Sequence, residues 1–242
     1  MDLNVALTQQ EQAWNQRPLL RSQYRAWYSM IVDNLSPVVG ATVELGSGIG
    51  RFREAKPDAV LTDVVPTRWT DAVVDAHGLP YRDGTIANLV LLDVFHHLAA
   101  PELFLNEAQR VLTRRGRVVI VDPYCSWVST PFFRRFHHER TDLSTDAFEH
   151  DVRTGQAPLE SNQARTTLVF YKYRDAYRQR WPELPIIFDR RFAFLIYPLS
   201  GGFTRRPLLP NALLPVADRA EAILSPLSPL LAFRCLVVLE RR

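Results

Sequence analysis

Apolar positions along the first half of the chain recur at two different periods. Up to Asn34, residues Trp14, Leu19, Leu20, Tyr24, Trp27, Tyr28 and Ile31 fall at helical spacing among polar neighbours, which predicts amphipathic helices over 1–37. Ala41-Thr42-Val43-Glu44-Leu45 is instead a short apolar run ending in a glycine-rich turn, the pattern of a buried parallel strand. Ala59 to Thr62, Ala87 to Leu92 and Val118 to Val121 repeat it. Between the last two, Pro101 to Leu112 places Leu103, Phe104, Leu105, Ala108, Val111 and Leu112 on one helical stripe, with proline in its first turn. Strand, helix and strand in that order make a βαβ unit, because parallel strands need a crossover between them. The first half is therefore expected to be a doubly wound α/β sheet.

After Asp122 the pattern changes. Phe132-Phe133-Arg134-Arg135-Phe136-His137-His138 is followed by a polar stretch from Thr141 to Glu160, then by a helical pattern over 163–180 that stops at Trp181-Pro182. Strand character returns at Ile186 to Ile196 and Phe233 to Glu240, with a Leu- and Pro-rich helical segment between them. The division expected is one domain over 1–242, with N-terminal helices (1–37), a first sheet half (38–125), an inserted lid (126–184) and C-terminal strands with a helix (185–242).

Composition narrows the class. With 242 residues, 47% hydrophobic and 23% charged, and no fixed-period repeat, the chain can bury one sizeable core, which excludes disorder, collagen, coiled coil, solenoids and propellers. No apolar run approaches the roughly 18 residues of a membrane span, and the start has no signal-like pattern, so a cytoplasmic location is expected. Cys125 and Cys235 show no metal spacing and are read as reduced core thiols. The net charge of +3 is small; nearly all basic residues are arginine, only Lys56 and Lys172 being lysine, which is weak evidence for a polyanion partner.

Ligands of open parallel sheets bind beyond the carboxyl ends of the strands, so the residues after each strand matter most. Glu44-Leu45-Gly46-Ser47-Gly48-Ile49-Gly50 offers alternating glycines whose backbone can lie against a ligand. In neither reading frame does it match the Gly-x-Gly-x-x-Gly of a dinucleotide site, since Arg51 or Arg53 stands at the third position. No Lys-Ser/Thr pair follows, so a phosphate loop is excluded as well. Asp63 closes the second strand where an acid accepting ribose hydroxyls should stand. Asp75-Ala76 precedes a Leu79-Pro80-Tyr81 turn, and Asp93 ends the next strand before Val94-Phe95-His96-His97.

The order of these motifs, completed by Asn106-Glu-Ala-x-Arg-Val-Leu112, resembles the class I S-adenosylmethionine-dependent methyltransferases over roughly residues 40–125. The resemblance implies a Rossmann-like doubly wound sheet of seven strands, mostly parallel with the last antiparallel, here Phe233 to Glu240, plus an inserted helical lid. It also implies S-adenosylmethionine as cofactor. Gly46, Ser47, Gly48 and Gly50 would approach its methionine part and Glu44 would support its ammonium group. Asp63, with Val64 beside it, would hold the ribose, Asp75 and Ala76 the adenine, and Asp93 the methionine end. Two departures stand out: Asp75 follows Asp63 by only twelve positions, which truncates the second helix, and Thr113-Arg114-Arg115-Gly116 replaces a Pro-Gly-Gly turn.

A sulfonium methyl donor is already activated, so an enzyme must position it in line and, for a hydroxyl acceptor, take up a proton. His96 and His97 are the candidates, with Asp122 orienting His96 or the acceptor; the alternative is that one caps a helix and the other packs. His137-His138-Glu139, with Asp142, Asp146, Glu149, His150 and Asp151 nearby, has irregular spacing and is read as the surface of a lid loop, so no metal is expected. Arg134, Arg135, Arg140, Arg174, Arg178 and Arg180 fit either an acceptor pocket or ordinary helix surfaces. The expected activity is methyl transfer to a small-molecule hydroxyl of a sugar, glycan-lipid or secondary metabolite. The alternatives are an RNA methyltransferase and a non-catalytic cofactor-binding protein.

Overall fold

In the computed structural model, residues 3–148, 161–203, 208, 210 and 213–242 are described. Helices α1 (Leu3–Gln16) and α2 (Pro18–Asp33) precede β1 (Ala41–Leu45). Then come β2 (Val60–Asp63), β3 (Ala72–Val73), β4 (Ile86–Leu92), α3 (Pro101–Val111) and β5 (Leu112–Pro123). The inserted segment contributes α4 (Ser129–Phe136), α5 (Arg165–Thr167) and α6 (Arg174–Arg180), and β6 (Ile186–Phe192) follows. Helices α7 (Ile196–Ser200), α8 (Leu214–Leu224) and α9 (Ser228–Leu231) lead into β7 (Arg234–Glu240).

The seven strands form one sheet in the order β3-β2-β1-β4-β5-β7-β6. The first five pair in parallel, and β7 runs antiparallel to both of its neighbours. This is the doubly wound α/β architecture expected from the alternating pattern, with β7 in the place foreseen for the reversed strand.

Side-chain alternation along the strands decides which layer each residue joins. On β5, Val118 and Ile120 face the layer that holds α3 and the inserted helices, while Val119 and Val121 face α1 and α2. On β7, Cys235, Val237 and Leu239 join the first layer and Leu236 and Val238 the second. Both sheet faces are covered, which is why the central strands read as unbroken apolar runs. Cys125 and Cys235 are buried free thiols, as expected.

Three details position the site. The glycine turn after β1 is followed by a single 3-10 turn, Arg51–Glu54, instead of a long helix. The chain between β2 and β3 contains no helix, in keeping with the short spacing to Asp75. The helix expected over 163–180 is instead split by a π turn at Leu168–Lys172. Thr166 and Thr167 explain why this region departs from a regular surface helix. The Thr166 hydroxyl donates to Asp122, and the Thr167 hydroxyl accepts the Cys125 N–H at 2.8 Å, so both side chains are committed to the sheet end.

Candidate active site

A cavity of about 760 Å³ opens beyond the carboxyl ends of β1, β2 and β4. At one end it is lined by Glu44, Gly46, Ser47, Gly48, Asp63, Val64, Asp75 and Ala76, and α1 lays Leu7, Gln10 and Trp14 over them. At the other end stand Tyr24, Phe132, Phe136, Tyr197 and Phe203, beside His96, His97, His137 and Glu139.

The turn at the first end needs its glycines. Gly46 has φ +68°, and a Cβ there would overlap the Val94 side chain. Gly48 has φ +51° and turns its N–H toward Asp63, whose Oδ2 accepts it at 3.0 Å. The Ser47 hydroxyl donates to the Thr62 carbonyl at 3.0 Å and pins the turn to β2. Gly50, expected beside the cofactor, does not line the cavity. Its N–H closes the turn onto the Ser47 carbonyl at 2.8 Å, and a Cβ on it would press on Trp69.

Glu44 is 3% exposed, and its Oε2 has no hydrogen-bond partner. Burial pushes its carboxyl up to about 8, the charge of Asp63 adds to the rise, and a hydrogen bond from Ser47 opposes it. Burial also raises Asp63, against the lowering effect of the Gly48, Val64 and Val65 amides. Asp75 sits at the rim, where its Oδ1 accepts the His77 N–H at 2.9 Å.

Asp93 ends β4 in the left-handed region, with φ +60°. One of its oxygens accepts the Tyr24 hydroxyl at 2.9 Å, and the other is ion-paired with Arg234. The Arg234 guanidinium lies 4.6 Å from the Trp27 ring centroid and 5.2 Å from that of Tyr197. Its own burial opposes its positive charge, and Asp93 outweighs that effect and holds it protonated.

At the second end the structure unites two groups that are far apart in sequence. His96 Nδ1 lies 2.8 Å from Asp122 Oδ1, and the His96 amide donates to Asp122 Oδ2 at 3.1 Å. Asp122 is fully buried behind His96 and does not itself line the cavity. Glu139 Oε2 lies 3.5 Å from His96 Nε2 and 3.4 Å from His137 Nδ1, and Glu139 Oε1 lies 3.5 Å from His97 Nε2. Gln163 donates to Glu139 as well.

Among the protein's own groups, burial lowers His96, but Asp122 and then Glu139 outweigh it and carry it up to about 10. Burial, with His96 beside it, pushes His97 down to about 4. Burial works against the Glu139 charge, but the surrounding imidazoles hold its carboxyl well below the usual range.

The sequence singled out His96, His97 and Asp122, and the structure brings them together. It also separates the lid cluster. Glu139 turns into the cavity, whereas Asp142 and Asp146 stabilise local turns by accepting the Ser144 N–H at 2.9 Å and the Phe148 N–H at 2.7 Å. Glu149, His150 and Asp151 lie outside the described residues. None of the six lid arginines lines the cavity: Arg174 pairs with Asp189 at 2.8 Å, Arg178 with Asp175 at 3.1 Å and Arg180 with Glu102 at 3.6 Å. Tyr24, Gln163, Thr166 and Arg234 carry no motif and were not foreseen.

Residues 43–120 match the family model described as methyltransferase domain. Over that stretch the chain is similar to methyltransferase domains. Its fold is shared with a SAM-dependent methyltransferase from Archaeoglobus fulgidus, at 13% identity and TM-score 0.54, over 92% of this chain and 94% of that one. Geranyl diphosphate methyltransferase in complex with SAM aligns at 14% identity and TM-score 0.51, over 93% and 89%. The [4+2]-cyclase SpnF aligns at 11% and 0.50, over 89% and 80%. Among curated proteins no sequence matches. A methyltransferase domain implies S-adenosylmethionine as cofactor, and the first end of the cavity fits it. A buried Glu44 carboxyl whose Oε2 has no partner suits an ammonium group, and the single 3-10 turn after the glycines offers no long helix for a pyrophosphate. No helix among the described residues is long and apolar enough to cross a membrane.

Proposed function

We propose that the protein transfers a methyl group from S-adenosylmethionine to a hydroxyl of a small, largely apolar acceptor of the secondary-metabolite kind. The observation that carries this reading is the division of one cavity into a glycine and carboxylate end and an aromatic end closed by the His96, His97 and Glu139 cluster.

When bound, the cofactor supplies an activated methyl on its sulfonium. On this reading Glu44 holds the cofactor's ammonium group, Gly46, Ser47 and Gly48 cradle its methionine part, Asp63 and Val64 meet its ribose and Asp75 and Ala76 its adenine. Asp93 keeps the methionine end in shape through Tyr24 and Arg234. The acceptor packs against Tyr24, Phe132, Phe136, Tyr197 and Phe203, and its hydroxyl faces His96 and His97, the neutral ring of His97 taking up its proton while His96 positions its oxygen. Asp122 positions His96 through Nδ1. Aromatic walls around one polar cluster favour an apolar body with a single reacting oxygen over a polyhydroxylated sugar. They also disfavour RNA: the one arginine among the described lining residues, Arg234, is already paired with Asp93.

The test is to incubate the protein with methyl-labelled cofactor and fractionated extract, with bulk RNA as a parallel arm. Label in an organic-extractable small molecule supports the reading, and label in RNA overturns it. Transfer, and not cofactor binding, has to be measured, because one fold relative is a cyclase.

A further inference from the structure

Four of the six histidines, His96, His97, His137 and His138, surround the single carboxylate of Glu139. The side chains of His96 and Glu139 are 3% and 7% exposed. The separations from Glu139 of 3.5 Å to His96 Nε2 and 3.5 Å to His97 Nε2 are long for charge-assisted N–H···O bonds, which run about 2.7–2.9 Å. They are close to the roughly 3.3 Å that separates two ligand atoms of a tetrahedral ion with bonds of about 2.0–2.1 Å. The ligating atoms of His96, His97 and Glu139 all lie within 4.8 Å of one another.

The surroundings supply the outer contacts that such a set needs. Asp122 meets both the backbone amide and Nδ1 of His96, which fixes the ring with Nε2 directed at Glu139. Thr166 in turn holds Asp122, and Gln163 holds Glu139 Oε2.

We propose that His96, His97 and Glu139 bind one divalent transition-metal ion, with zinc the first choice. Two imidazoles and one carboxylate suit zinc, cobalt, manganese or iron(II) better than magnesium or calcium, which prefer all-oxygen sites. Three protein donors leave a fourth position on the cavity side for an oxygen ligand, either water or the acceptor's hydroxyl. A hydroxyl held there would lose its proton to solvent more readily. This role in the reaction rests on the proposed methyl transfer, whereas metal binding itself rests on the geometry alone. It departs from the sequence-based expectation that the chain holds no metal.

The experiment is a titration of the chelator-stripped full chain with cobalt(II), followed by its visible absorption, with zinc displacement as a second readout. One equivalent bound with micromolar or tighter affinity, with the absorption of a four- or five-coordinate ion, is expected. Glu139→Gln and His97→Ala should each weaken binding at least tenfold, and Asp122→Asn about ten- to hundredfold. His77→Ala should bind as the wild type does. Circular dichroism of each variant separates lost ligands from lost fold. Absence of binding by the folded wild type, or binding unchanged in both folded ligand variants, overturns the proposal. Calorimetry of S-adenosylhomocysteine with the stripped protein reports the cofactor reading separately, so failure of one claim leaves the other standing.

Discussion

Arg234 on β7 and Asp93 at the end of β4 are ion-paired across the intervening strand β5. The arginine is 1% exposed, so its charge has little water to turn to if the carboxylate is lost. Asp93→Ala should therefore destabilise the fold by roughly 2–4 kcal/mol, somewhat less than a fully buried pair because Asp93 is 29% exposed. Asp93→Asn should cost less, since asparagine tolerates the left-handed backbone and keeps the Tyr24 hydrogen bond. Urea unfolding of the two variants measures the difference, and equal midpoints would rule out the charge as the cause.

Asp63 joins β2 to the glycine turn through the Gly48 N–H. Its replacement by alanine should weaken cofactor binding by at least tenfold, in line with about 1.5–3 kcal/mol for a hydrogen bond to a charged group. Calorimetry with S-adenosylhomocysteine gives the number. Unchanged affinity would remove Asp63 from the cofactor site.

Glu44, pushed up to about 8, is protonated at pH 6.5 in the free protein. Binding an ammonium group beside it should release close to one proton at that pH. Calorimetry in buffers of different ionisation enthalpy counts that proton, and Glu44→Gln should release none. Because the folded value lies above the unfolded one, about 4.3, the free protein should lose stability as pH rises from about 4.3 to about 8. Glu44→Gln should flatten that slope.

Gly46→Ala should lower both the melting temperature and cofactor affinity, because the new methyl meets Val94 and the backbone is left-handed. Adding Val94→Ala removes the overlap but leaves the φ strain, so the double variant should recover only part of the stability. Full recovery would show that backbone conformation at this turn costs little.

His96→Ala should reduce turnover by about a hundredfold or more while leaving cofactor affinity within a fewfold of the wild type. Steady-state rates on an identified acceptor, set beside calorimetric affinities, check the split. A parallel loss of affinity would move His96 from the acceptor side to the cofactor side.

What could be read from the sequence follows from how local each signal is. β1, the glycine turn and Asp63 are short-range features, and β4 and β5 are legible as unbroken apolar runs because both of their faces are buried. The convergence on Glu139 is tertiary. His96 and Glu139 are 43 positions apart, and their contact depends on how α4 leaves the sheet, which no spacing rule encodes. Arg234 looked like an ordinary strand residue because its partner lies two strands away. The helix over 163–180 was predicted unbroken because periodicity cannot register that Thr166 is needed as a donor to Asp122.

Helix α1 roofs the glycine end of the cavity through Leu7, Gln10 and Trp14, while α4 and the residues just after it wall the aromatic end. The two halves of the ligand chamber are thus built from separate stretches of chain on either side of a shared strand framework. Redesign aimed at a new acceptor can recut positions 132 and 136 and leave every contact around Gly46, Gly48 and Asp63 untouched.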